Sequence, residues 1–221
     1  MMEDWPACKT WSPPYLKRTC GDLEVEVQWG RDSDPDYEMN RAKLSRRVNF
    51  GEFAERVASA DRSNDVYTTA NNQCRNGQVL ERLRGDIGKL PYLTNDPTAS
   101  FLWFGPAGTK TPLHHDLTNN FMAQVIGAKR INLIPLFDTP NVDNHRHCFS
   151  EMTGETIDVG CYSLATATQH TICELNAGEI LFLPIGWWHH AEGLSTSITI
   201  TYTNFLRENE FFRNYDTYSE V

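Results

Sequence analysis

Residues 100–136 read SFLWFGPAGTKTPLHHDLTNNFMAQVIGAKRINLIPL. Short runs of aromatic and β-branched residues alternate in this stretch with the turn residues Gly, Pro, Asn and Asp, which is typical of successive β-strands. Further strands are predicted at 178–183 and 195–205. Because no helical pattern separates these runs, they favour an antiparallel sandwich or barrel over alternating βαβ units.

Two connections within this β-rich half can be predicted. Residues 120–126 and 129–136 flank Gly127-Ala128 and are predicted to form a tight hairpin, although Gly-Ala is a weaker turn signal than Asn-Gly. Residues 138–169 are polar and show no period, so we expect a long irregular insert between barrel strands. Loops of that length often carry function.

The first part of the chain mixes helices with a strand. Residues 23–29 alternate apolar and polar side chains with period two, as a half-buried strand does. Ser12 and Asn49 are suited to cap helices over residues 12–21 and 49–60. Apolar residues at helical spacing predict a further helix over 78–87, with Gly85 as its weakest point.

Length and composition exclude several classes of protein. A chain of 221 residues suits one domain, and it has no apolar run long enough to cross a membrane. The first residues lack the basic and apolar regions of a secretory signal, so we expect a cytoplasmic protein. The net charge of −9 disfavours nucleic acid as a partner. Six cysteines without a Cys-x-x-Cys pair disfavour a thiolate zinc site.

A candidate metal site begins at His114-His115-Asp116. In a strand, His114 and Asp116 lie on the same face and can reach one point, although the same spacing also occurs in ordinary surface pairs. A second pair, His189-His190, begins another β-rich segment. Two histidines and one carboxylate that leave coordination positions open form the facial triad of non-haem Fe(II) oxygenases.

Lys129 and Asn204 are candidates for binding an anion. Lys129 shares a strand face with apolar residues, where an ammonium is costly unless it meets an anion such as a dicarboxylate. A strand-end lysine can also reach water with its long side chain, and this alternative stays open. Asn204 continues the alternation of Ile198, Ile200 and Tyr202 on a face predicted to be buried, where a core amide satisfied by the protein is equally consistent.

Six segments together resemble the JmjC (cupin-like) hydroxylases, which include factor-inhibiting HIF and the JmjC arginyl and lysyl hydroxylases. They are FLWFGPAGT (101–109), TPLHHD (111–116), NNF (119–121), GAK (127–129), GEILFLP (178–184) and WH (188–189). The resemblance covers residues 5 to 206, and the order and spacing of the segments are more specific than any one of them. It implies a mainly β fold with N-terminal helices, a double-stranded β-helix or jelly-roll barrel.

The resemblance also implies a site. The metal ligands for Fe(II) would be His114, Asp116 and His189, and the residues that hold 2-oxoglutarate would be Tyr67, Thr111, Asn120, Lys129 and Asn204. Lys129 would pair with the remote carboxylate of 2-oxoglutarate, and Tyr67 would join it from an earlier strand. The choice of His189 over His190 depends on the Trp-His pattern of the family. His115 and His190 are expected to point away from the metal.

The implied domain spans residues 1–221, with an N-terminal α/β region (1–95), a jelly-roll core (96–206) and a C-terminal tail (207–221). The implied reaction uses Fe(II), 2-oxoglutarate and O2 to hydroxylate a C–H bond and releases succinate and CO2. A protein or peptide side chain is favoured as the substrate over N-methyl-lysine demethylation. A small-molecule hydroxylase and a catalytically silent metal-binding cupin are the alternatives, and the expected assembly is a monomer or a weak dimer.

Overall fold

The computed structural model describes residues 2–69, 76–94, 99–152, 154–155 and 168–211, without the side chains of 145 and 146. The N-terminal region contains α1 (Pro6–Thr10), α2 (Pro13–Cys20), β1 (Glu24–Trp29), α3 (Arg41–Leu44), β2 (Ser45–Asn49), α4 (Phe50–Ser59), β3 (Val66–Thr68) and α5 (Gly77–Arg82). The strands that follow are β4 (Ser100–Gly105), β5 (Lys110–His115), β6 (Asn120–Ile126), β7 (Ala128–Ile134), β8 (Asn144–Arg146), β9 (Phe149–Ser150), β10 (Thr171–Asn176), β11 (Ile180–Leu183), β12 (Trp188–Gly193) and β13 (Ser197–Tyr202).

Two antiparallel sheets form the second half of the chain. One has the strand order β10-β7-β12-β5-β9-β8, and the other has the order β11-β6-β13-β4. Apolar side chains of both sheets meet in one cluster that joins Met122 and Leu183 to Ile131, Leu133 and others. This sandwich of two antiparallel sheets confirms the predicted jelly-roll class.

The N-terminal helices cover the other face of the four-stranded sheet. Phe50 and Phe53 of α4 pack against Phe104 of β4, with ring centroids 6.1 and 5.5 Å from it. Ile198 and Ile200 of β13 belong to the same buried cluster. A small sheet of order β2-β1-β3 lies alongside, and Thr68 Oγ1 bonds to the backbone of Leu102 and Phe104 on β4. The division of the chain into one domain with three regions stays a prediction.

Capping residues explain where the two longest helices begin. Ser12 accepts a hydrogen bond from the Tyr15 amide at the start of α2, and Asn49 accepts from the amides of Gly51 and Glu52 at the start of α4. Both predicted helices are confirmed, as is the strand at 23–29. The helix predicted over 78–87 is shorter, because α5 ends at Arg82 and a 3-10 helix follows at Arg84–Asp86 around Gly85.

The predicted hairpin at Gly127-Ala128 is wrong. β6 pairs with β11 and β13, whereas β7 pairs with β10 and β12, so the chain crosses from one sheet to the other at this point. Gly127 has φ +70°, and a Cβ on it would lie 2.2 Å from the Thr196 carbonyl oxygen. The glycine therefore serves a corner between sheets, where a side chain has neither the conformation nor the space it needs.

The insert at 138–169 is more regular than predicted in its described part. A 3-10 helix spans Leu136–Asn141, and β8 and β9 extend the six-stranded sheet beyond β5. Residues 153 and 156–167 of the insert lie outside the described residues. Among the described parts of the chain, no helix combines the length and apolar character needed to cross a membrane.

Candidate metal centre

The three predicted metal ligands lie together on the inner face of the six-stranded sheet, the face turned toward the four-stranded sheet. His114 of β5 stands directly opposite His189 of β12, and their ring centroids are 4.1 Å apart. Asp116 follows β5, with one carboxylate oxygen 3.9 Å from His114 Nε2 and the other 4.0 Å from His189 Nε2. One ligand atom from each residue falls within 4.8 Å of the others, close enough to share an ion.

Backbone carbonyls orient both imidazoles. His114 Nδ1 lies 2.8 Å from the Pro112 oxygen, and His189 Nδ1 lies 3.1 Å from the Trp187 oxygen. A carbonyl can only accept, so Nδ1 carries the proton in each ring and Nε2 presents its lone pair to the carboxylate side. A hydrogen bond from Nδ1 to a backbone carbonyl is the usual arrangement for histidines that bind a metal through Nε2.

The electrostatics suit a cation. Burial and the neighbouring His114 lower the pKa of His189 to about 3, so its imidazole is neutral and available as a ligand at physiological pH. Burial opposes ionisation of Asp116, but the two histidines and the Asn120 amide outweigh it and lower the pKa of the carboxyl. Asn120 Nδ2 donates to Asp116 at 3.2 Å. Two neutral donors and one anionic donor fit a facial triad with open positions.

Strand pairing distinguishes the two members of each histidine pair. His190 stands opposite Asn132 and therefore faces outward, on the side of the sheet away from His189. His115 also faces outward and packs on Trp188, with ring centroids 4.7 Å apart. Gly154 lies against His190, because a Cβ there would come within 2.7 Å of the histidine Cβ. The expected outward direction of both side chains is what the structure shows.

A β-bulge brings Thr111 onto the same face as His114. His114 pairs with His189 and Thr111 pairs with Ala191, so two residues of β5 stand opposite the single residue His190. Residues directly opposite each other share a face, and so do His189 and Ala191 at a spacing of two. Thr111 and His114 therefore both face inward although they are three residues apart, which strict alternation would forbid.

Lys129 lies on this inner face with its side chain buried, 4% exposed. It pairs with Gly193, four residues along β12 from His189, which corresponds to about 13 Å along the strand. Its Nζ donates to Tyr67 Oη at 2.9 Å. The part of the chain that the structure describes contains no carboxylate paired with Lys129. The structure thus brings together Lys129 and Tyr67, which the sequence could relate only through the family resemblance.

Asn204 lies two residues beyond the end of β13. Ile198, Ile200 and Tyr202 do form a buried face of β13, but that face packs against the N-terminal helices and not into the barrel. The Asn204 side chain follows the end of β13, and its Nδ2 donates to the Thr94 carbonyl and hydroxyl oxygens. Its part in holding 2-oxoglutarate stays a prediction.

Phe149 is a site residue that the sequence did not reveal. It pairs with His114 across β5 and β9 and stacks on the imidazole, with centroids 5.7 Å apart and an interplanar angle of 22°. It also lines a groove of about 810 Å³ with other residues of the insert, including Ser150, Met152 and Glu155. A strand of two residues within a polar insert has no recognisable period, so no sequence signal marks it.

Comparison with known proteins agrees with this geometry. A family model described as a cupin-like domain matches residues 1–209. The chain belongs to the cupin-like domain family. The predicted resemblance to the JmjC oxygenases is confirmed by relatives that carry JmjC names. A lysine-specific demethylase 8 of Xenopus tropicalis is 28% identical over 91% of this chain and 46% of its own length.

Two further relatives show the range of reactions named in the family. The lysine-specific demethylase JMJ30 of Arabidopsis thaliana is 31% identical over 91% of this chain and 47% of its own length. The human bifunctional peptidase and (3S)-lysyl hydroxylase JMJD7 is 24% identical over 97% of this chain and 77% of its own length. This chain spans about half the length of the two demethylases that it matches.

Proposed function

We propose that this chain is an Fe(II)- and 2-oxoglutarate-dependent oxygenase that hydroxylates a C–H bond of a protein side chain. The observation that carries the proposal is the shared inner face: His114, Asp116 and His189 converge at one end, and buried Lys129 lies along the same face. Iron and 2-oxoglutarate together would activate O2 for hydroxylation, with release of succinate and CO2.

The three ligands would occupy one face of the iron and leave the opposite positions open. The backbone bonds to His114 and His189 hold both Nε2 atoms toward Asp116, so the geometry needs little reorganisation when the metal binds. Asn120 restrains the Asp116 carboxylate, and its own Oδ1 is buried with no hydrogen-bond partner in the described structure. That unpaired oxygen marks a polar position beside the metal that a ligand can fill.

Lys129 supports the assignment of 2-oxoglutarate. A buried ammonium without a carboxylate partner is costly, and the remote carboxylate of the co-substrate would supply the missing charge. The separation of about 13 Å along the strand suits an extended lysine side chain followed by a five-carbon dicarboxylate. Tyr67 Oη adds a donor at the same end, and Thr111 adds a hydroxyl on the inner face nearer the metal. We include Asn204 among the co-substrate residues on the family resemblance alone.

The groove lined by Phe149, the residue that stacks on His114, favours a protein segment as the substrate. It is partly open to solvent and is lined by residues of the insert, as a trough for an extended chain would be, whereas a metabolite pocket would be closed. Acidic side chains dominate its charge, since its lining, as far as the structure describes the chain, contains five carboxylates and the single cation Lys110. They are Asp32, Asp36, Glu38, Glu151 and Glu155. A basic substrate side chain complements this lining, in keeping with the lysine in the names of three relatives.

Demethylation of N-methyl-lysine is the second candidate, because two of the relatives are named demethylases. Hydroxylation of a stable carbon leaves a product heavier by one oxygen atom. Hydroxylation of an N-methyl group instead releases formaldehyde and leaves a lighter lysine. Incubation of the enzyme with basic peptides, with and without methyl-lysine, separates the two reactions by product mass and by formaldehyde assay.

The proposal is tested by the anaerobic absorption spectrum of the protein titrated with Fe(II) and 2-oxoglutarate. We expect a visible charge-transfer band that appears only when both are present, because the 2-oxo acid must chelate the iron. Lys129→Ala should weaken the band at a fixed concentration of 2-oxoglutarate, whereas Lys17→Ala, which removes an exposed lysine paired with Glu55, should not. A folded protein that gives no band would overturn the proposal and favour a silent cupin.

A further inference from the structure

Arg31 is a buried cation that is not among the proposed metal or co-substrate residues. It follows β1, and its side chain is only 1% exposed. Its Nη2 donates to the Lys110 carbonyl at 2.6 Å, but Nε and Nη1 are buried with no hydrogen-bond partner in the described structure. No carboxylate among the described residues pairs with it. An arginine with two unpaired nitrogens and no counter-ion is unusual in a protein interior.

The guanidinium lies at the Lys129 end of the inner face. Its Cζ is 5.2 Å from the centroid of the Tyr67 ring, and Lys129 Nζ is 5.5 Å from the same centroid. The Lys110 carbonyl that Arg31 contacts immediately precedes Thr111. Two buried cations therefore lie against the ring of one tyrosine, and one of them contacts β5 next to Thr111.

The ring contacts account for part of this arrangement. Arg31 stacks over Tyr37, with Cζ 4.3 Å from the ring centroid, and such cation–π contacts offset some of the cost of burying a charge. They do not supply partners for Nε and Nη1, and they do not remove the repulsion between two buried positive charges. A carboxylate placed beside Tyr67 would lie near both cations and lower the electrostatic cost of burying them.

We propose that Arg31 is the second cation of the subsite that receives the remote carboxylate of 2-oxoglutarate. In this arrangement Lys129 and Tyr67 donate hydrogen bonds to the carboxylate, while Arg31 adds positive charge and holds the Tyr67 ring in place. The inference rests on the proposed function, because it assumes that 2-oxoglutarate binds on this inner face. It predicts that Arg31 acts on the remote carboxylate and not on the 2-oxo acid group that would chelate the metal.

Two ligands distinguish an effect on the remote carboxylate from an effect on the 2-oxo acid group. 2-Oxopentanoate has the same 2-oxo acid head as 2-oxoglutarate but ends in a methyl group instead of the remote carboxylate. The affinity of both ligands is measured by titration calorimetry on Mn(II)-loaded protein, where no turnover occurs. For Arg31→Gln, which keeps a donor for the Lys110 carbonyl, we expect about tenfold weaker binding of 2-oxoglutarate. Binding of 2-oxopentanoate should change by less than about twofold, because the lost charge has no carboxylate to act on.

Two control variants define the role of charge. Arg31→Lys keeps the positive charge and should stay within about threefold of the parent protein for both ligands. Arg56→Gln removes an arginine from an exposed ion pair with Asp65 and should change neither affinity. If Arg31→Gln does not fold, the parent protein labelled with 15N-arginine and loaded with Zn(II) replaces it. The Arg31 Nε resonance, assigned with Arg31→Lys, should then shift with 2-oxoglutarate and not with 2-oxopentanoate.

Each outcome bears on one of the two proposals. Equal weakening of both ligands in Arg31→Gln, or no change in either, would overturn the assignment of Arg31 and leave the 2-oxoglutarate site intact. An Arg31 Nε signal that ignores 2-oxoglutarate would do the same. A parent protein that shows no preference for 2-oxoglutarate over 2-oxopentanoate would overturn both proposals, because no subsite for the remote carboxylate would then exist.

Discussion

Both faces of the six-stranded sheet carry a pair of histidines, but only the inner pair meets a carboxylate. His114 and His189 face inward and meet Asp116, whereas their sequence neighbours His115 and His190 face outward. The inner pair presents free Nε2 atoms to a carboxylate. In the outer pair, His115 packs on Trp188 and His190 lines the groove with Phe149. One step along a strand therefore separates a candidate metal site from the opposite side of the sheet.

Titration does not distinguish the two faces. Burial lowers the pKa of His190 to about 4, and burial together with His114 lowers the pKa of His189 to about 3. Both imidazoles are neutral at physiological pH and are competent ligands in that respect. What distinguishes the inner face is the convergence of two Nε2 atoms with the Asp116 carboxylate, since a cation needs several donors at one point.

The largest effect on metal binding is expected from replacing one histidine at a time with alanine. His189→Ala removes one of three ligands and should weaken Mn(II) binding by more than about 100-fold, as measured by calorimetry. His190→Ala is the matched variant one residue away and should stay within about threefold of the parent protein. Similar losses in both variants would show that the two faces are not functionally distinct.

The second effect concerns the packing of the outer face. Leu113 is fully buried there with Ile134, Met152 and Trp188. Leu113→Ala should lower the free energy of unfolding by about 3 kcal/mol in urea titrations, because it leaves a cavity. Mn(II) affinity should change by less than about threefold. Leu206→Ala, at a position that is 66% exposed, is the control, with an expected cost below about 0.5 kcal/mol.

The smallest effect is expected from two asparagines, Asn120 on the inner side of the six-stranded sheet and Asn132 on its outer side. Asn120 donates to Asp116 on the inner side, and Asn132 donates to the Gly154 carbonyl on the outer side. Asn120→Ala should weaken Mn(II) binding about tenfold in the absence of 2-oxoglutarate, because Asp116 loses its restraint. Asn132→Ala should leave Mn(II) affinity unchanged and cost about 1 kcal/mol of unfolding free energy. The opposite pattern would reverse the assignment of the faces.

Local patterns were sufficient for much of the fold. The helices that begin after Ser12 and Asn49 were predictable because each cap is a contact within three residues. The strand at 23–29 was predictable from its alternation, since Val25 and Val27 are buried while Glu24 is exposed and Glu26 is half-buried. The candidate ligands were also predictable, because residue type and a spacing of two already place His114 and Asp116 on one face.

Patterns that depend on distant pairing were misread or missed. A hairpin and a corner between two sheets both join two strands by a short glycine turn, so the sequence around Gly127 could not separate them. Thr111 lies three residues before His114, and only the bulge opposite His190 turns it inward. The burial of Arg31 was missed, because nothing in the sequence around it shows that Tyr37 and Tyr67 lie against its guanidinium.

The sequence by itself determined which residues are available for chemistry and the periodicity of the strands that carry them. It did so because alternation and capping depend on neighbours a few residues away. Only the tertiary structure decided that His189 and not His190 joins His114, and that Lys129 and Arg31 lie against the ring of one tyrosine. Those outcomes depend on strand register and on contacts between sheets, which long-range packing sets and local sequence does not encode.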